Sequence, residues 1–99
     1  MYEEPFIDRV LKSIKRKIST EDEIDLIDKT YGHVRNIIGF ANSCNIRQAI
    51  DHSFVALENI EKLREMESSV TDYDITSFKR AVSGELATRL QKCGLKFTE

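Results

Sequence analysis

Four side chains in this sequence carry the chemistry of metal ligation and thiol reactivity: His33, His52, Cys44 and Cys93. They stand apart along the chain. No Cys-x-x-Cys, His-Glu-x-x-His or doubled Glu-x-x-His spacing brings two of them together, so no metal site is expected. Asp51 and His52 are neighbours, but on a helix adjacent residues point about 100° apart. Both histidines read as partly exposed helix residues. Two cysteines do not make a disulfide framework. They read as small, half-buried thiols, with a bridge between two helix ends as the alternative.

Acid–base catalysis needs titratable groups held in unlike environments within one cleft. The acids here sit instead at helix starts and on outer faces. Glu58, Glu61 and Glu65 surround Lys62 at spacings typical of a solvated helix surface. The glycines stand singly, so no phosphate-cradling loop is present. The expectation is a chain that is not an enzyme and takes no cofactor.

The elements that must carry these residues are helices. The 99 residues include one proline, four glycines and no tryptophan, which disfavours a turn-rich β protein. Apolar residues recur at helical spacing through Phe6, Ile7, Val10, Leu11, Ile14 and Ile18, and again through Ile24, Ile27, Tyr31, Val34, Ile38 and Ala41. A third series is Ile46, Ala49, Ile50, Phe54, Ala56, Leu57, Ile60 and Leu63. A fourth is Ile75, Phe78, Val82, Leu86, Leu90 and Cys93. Ser53 interrupts the third face and is expected to bond back to the carbonyl one turn earlier.

Thr20 with Glu23 reads as a capping box; Asn45 with Gln48 repeats the pattern, with Ser43 as the rival cap, and Thr71 with Asp74, or Asp74 itself, can cap the fourth helix. Gly94 stands where a helix end wants a left-handed residue, with Leu95 folding back. The fold expected is all-α: one domain over 1–99, a four-helix bundle, mostly antiparallel, with helices at about 4–18, 21–42, 46–67 and 73–93. The longest apolar run is far too short to cross a membrane. The acidic start, Met1 to Pro5, lacks the apolar core of a signal peptide. A reduced, cytoplasmic setting is therefore expected.

Gly32 and Gly39 would each weaken a helix interior by roughly 1 kcal/mol unless a neighbour needs the space. Ser77, Ala81, Gly84 and Thr88 form a second small-residue stripe. Gly32, Gly39, Ala81 and Gly84 are thus expected to mark a close helix–helix contact, within one chain or between two copies.

What remains is binding. Phe40, Phe54, Val55, Met66, Tyr73 and Phe97 exceed the needs of one small core and are candidate contacts for a partner protein. The functional expectation is a small protein-binding module of the adaptor, regulator, inhibitor or immunity type, which could act as a homodimer through helix-face docking. The alternative is a nucleic-acid-binding regulator using Arg9, Lys12, Lys15, Arg16 and Lys17 on the first helix. Against it stands a net charge of −2, where a dedicated binder shows a basic domain.

Overall fold

The computed structural model describes residues 4–67 and 69–94. They form four helices: α1 (Phe6–Lys15), α2 (Glu21–Asn42), α3 (Ile46–Met66) and α4 (Asp72–Gln91). Each boundary has a local cause. Pro5 precedes α1, and its carbonyl accepts from the Asp8 and Arg9 amides. The first helix is shorter than the apolar spacing suggests. After Lys15 the Lys17 and Ile18 amides reach carbonyls only three residues back, which tightens the last turn.

Thr20 and Thr71 each cap the helix that follows through a complete capping box, with Glu23 and Asp74 as the reciprocal acceptors. At α3 only one half of the pattern exists: the Asn45 carboxamide oxygen accepts from the Gln48 amide. The end of α2 is a Schellman motif. The Asn45 amide donates to the Phe40 carbonyl and the Cys44 amide to the Ala41 carbonyl. Cys44 holds the left-handed position, φ 63°, that glycine usually fills. Gly94 takes a positive φ of 83° beyond α4, as its type suggests; Leu95 lies outside the described residues.

Short connections make the bundle run up-down-up-down. Asp8–Arg35 and Lys15–Asp28 pairs align α1 against α2 in opposite directions, and Lys17–Asp74 joins the end of α1 to the start of α4. Helix α1 packs on α2 and α4; the most extensive packing joins α2 to α3. Ile7, Leu11, Ile14, Ile27, Val34, Ile37, Ile60, Leu63 and Phe78 lie at the centre of the core with no exposed surface. A smaller layer of Ala41, Ala49 and Leu90 closes the opposite end. Ser53 donates to the Ala49 carbonyl at 2.8 Å, as its position in the apolar face requires.

Two expectations fail on this architecture. Gly32, Gly39 and Gly84 do not line a close helix contact: all three are exposed, and a Cβ added at any of them would meet nothing within 4 Å. Of that set only Ala81 is buried. The apolar seams pass beside these glycines instead of through them. The cysteines are also not free thiols. Cys44 and Cys93 form a disulfide, with Cα atoms 5.7 Å apart, that ties the end of α2 to the end of α4.

Candidate functional site

Helix α1 has 10 residues and α4 has 20, so α1 covers only part of its neighbour. Its first residue, Phe6, stands half out of the fold at 52% exposure, and Tyr73, in the first turn of α4, at 77%. Between them runs a shallow groove made of three depressions that share Phe6. The first, about 290 Å³, is bounded by Arg9, Val10, Tyr73 and Ser77. The second, about 400 Å³, adds Thr76 and Arg80. The third, about 310 Å³, continues past Ala81, Gly84 and Thr88 to Arg89. The small-residue stripe of α4 thus floors an open groove.

The charges along the groove are unequally committed. Asp74 accepts from Lys17 at 2.7 Å and from the Thr71 amide at 2.9 Å. Burial alone pushes its carboxyl up, but these hydrogen bonds outweigh burial and hold it below its ordinary value. Asp72 pairs with Arg64. Glu85 pairs with Arg89, which also donates to Asn42 on α2. Arg9 lies over the Phe6 ring, 5.6 Å from its centroid. Arg80 has no ion pair among the described residues. The rim is therefore left positive by Arg9 and Arg80.

The candidate contact residues do not gather into one patch. Phe54, Val55, Met66 and Tyr73 are exposed, but Phe54 and Val55 point about 100° apart around α3. Phe54 instead continues a stripe with Ile46 and Ile50, both rim-exposed where a core position was expected. Phe40 is half-buried and stacks on His52. Phe97 lies outside the described residues. The sequence reading missed Phe6, which it gave to the core. The signal was available: Ile7, Val10, Leu11 and Ile14 already fill one stripe of α1 and leave Phe6 at its edge.

The basic face of α1 is largely answered from within the chain. Lys12 pairs with Glu4, Lys15 with Asp28 and Lys17 with Asp74. Arg9 and Arg16 are the members of that set with no ion pair among the described residues. Such a face offers phosphates few uncommitted cations.

The histidines, scattered in sequence, meet across α2 and α3. Their Nδ1 atoms lie 2.9 Å apart and their ring centroids 5.2 Å apart. Phe40 stacks on His52 at 5.5 Å with the planes 11° apart. Burial, then the facing His52 charge, lowers the His33 pKa from its ordinary value. The pairing was legible in principle, because the two residues sit at comparable distances on either side of the Asn42–Asn45 turn. No group of three or more His, Cys, Asp or Glu side chains suited to a metal ion occurs among the described residues, and no helix of the structure is long and apolar enough to cross a membrane. No protein-family model matches the chain, and neither a curated protein nor a solved structure matches it.

Proposed function

We propose that this chain is a small, non-enzymatic protein-binding module whose docking surface is the groove between α1 and α4. The observation that carries the reading is the pair Phe6 and Tyr73. Two large aromatics stay exposed on either side of a groove while the core beside them is fully closed. Aromatic and arginine side chains around a pocket are the residue types that dominate binding energy at protein interfaces. The partner segment is an apolar side chain seated between the two rings, flanked by carboxylates that meet Arg9 and Arg80.

The disulfide supports an oxidising compartment as the working environment in place of the cytoplasm expected from sequence, since such bridges persist where thiols are not kept reduced.

The test is affinity capture from the source cells with wild-type protein, Tyr73→Ala and Phe6→Ala/Arg80→Glu. All three should have the same helical circular dichroism, because none of these side chains belongs to the closed core. A protein retained by wild type and lost by both variants is the expected result. A partner held equally by all three would remove the groove from the reading. Duplex nucleic acid retained at low salt and released at high salt would favour the basic-helix alternative.

A further inference from the structure

We propose that His33 and His52 form a proton-sharing latch between α2 and α3 that holds with one added proton and opens with two. With the facing Nδ1 atoms 2.9 Å apart and the centroids 5.2 Å apart, the ring radii take up the rest of the separation, so the rings meet head-on. That is the alignment of an N–H···N hydrogen bond. A metal ion does not fit between them. Two in-line nitrogen bonds would need about 4 Å between the nitrogens.

The proton count fixes the behaviour. In the neutral pair one Nδ1 carries the hydrogen and the other offers its lone pair. The donor ring then has its hydrogen-free nitrogen, Nε2, at the far end. A first added proton goes there, leaves the shared bond intact and makes it charge-assisted. A second has only the facing lone pair to occupy. It destroys the bond and sets two positive rings against each other at contact distance. Phe40, stacked on His52, restrains that ring from turning away.

The surrounding charges do not relieve this. On α2 the neighbouring Arg35 is turned toward Asp8 of α1. On α3 Asp51 lies beside His52 on the exposed face. Glu85 and Arg89 of α4 pair with each other. Burial, then the facing His52, depresses the His33 pKa. A histidine held neutral in the fold contributes stability in full above its ordinary value of 6.5. That contribution falls as the pH drops from there toward the depressed value, because the unfolded chain then binds more protons. The α2–α3 contact is thereby acid-responsive.

The test is a titration of the full chain labelled with ¹⁵N-histidine, followed by NMR from pH 8 to pH 4.5. The two rings should titrate as a coupled pair, the second proton binding at least about tenfold more weakly than the first. In His52→Gln the His33 ring should titrate in one step, shifted back toward its ordinary value. Urea midpoints at pH 7.5 and pH 5.0 should converge more in His33→Gln, His52→Gln and the double variant than in wild type. Two independent, superimposable wild-type titrations would overturn the proposal, and that outcome needs no variant to fold.

Discussion

At the scale of single residues, Cys44 departs furthest from the usual preference. A left-handed backbone costs a residue with a Cβ roughly 1–2 kcal/mol, and glycine escapes that penalty. Cys44 occupies it because the Schellman turn requires a residue there and the sulfur must reach Cys93. In a Cys93→Ser background, Cys44→Gly should therefore be more stable than Cys44→Ser by about 1 kcal/mol in urea denaturation. Equal midpoints would mean the turn opens once the bridge is gone. A second residue-scale prediction concerns acid. Hydrogen bonds from Thr20 hold the Glu23 carboxyl below its ordinary 4.5, and those from Lys17 and Thr71 hold Asp74 below 3.8. Both folded values are depressed, so their stabilisation is complete above those ordinary values and drains as the pH falls below them. Asp74→Asn should flatten the low-pH decline of the urea midpoint between pH 5 and pH 2 while lowering the midpoint at pH 7.

At the scale of elements, the exposed glycines invert an expectation. With nothing within 4 Å of an added Cβ, Gly39→Ala and Gly84→Ala should each stabilise the protein, by up to about 1 kcal/mol, read as a higher thermal midpoint. Destabilisation by either would restore a close contact at that face. Helices α2, α3 and α4 were legible because two independent signals agreed on each: apolar spacing and a cap. Thr20 placed the start of α2 to the residue, and the expected start of α4 at 73 fell one residue after the true one. Alpha1 lacked a side-chain cap, and there the spacing ran past the true end. What stayed hidden was lateral. Spacing gives the angle of a residue around its own helix but not the distance to the next one. Phe6, Ile46 and Ile50 could therefore pass for core, and the glycines for a contact. The histidine pair depended on how two helices align about a turn, which neither residue reveals alone.

At the scale of the whole molecule, the bridge dominates. Cys44 and Cys93 are 49 residues apart, and a loop of that length should contribute about 4 kcal/mol by restricting the unfolded chain. Reduction should lower the unfolding free energy by a comparable amount, measured in denaturant with and without dithiothreitol. The same bond divides the fold by its path along the chain. Helices α3 and α4 lie inside a covalent ring, and α1 and α2 lie outside it. Pulled from its ends, the protein is thus a short rope with a knotted-off middle. Helix α1 peels first, α2 follows, and the load then crosses the sulfur atoms and bypasses α3 and α4. In a single-molecule stretching experiment the oxidised chain should stop about 160 Å short of the reduced chain, at roughly 3.4 Å for each of the 49 residue steps between the cysteines, less the 5.7 Å that the bridge itself spans.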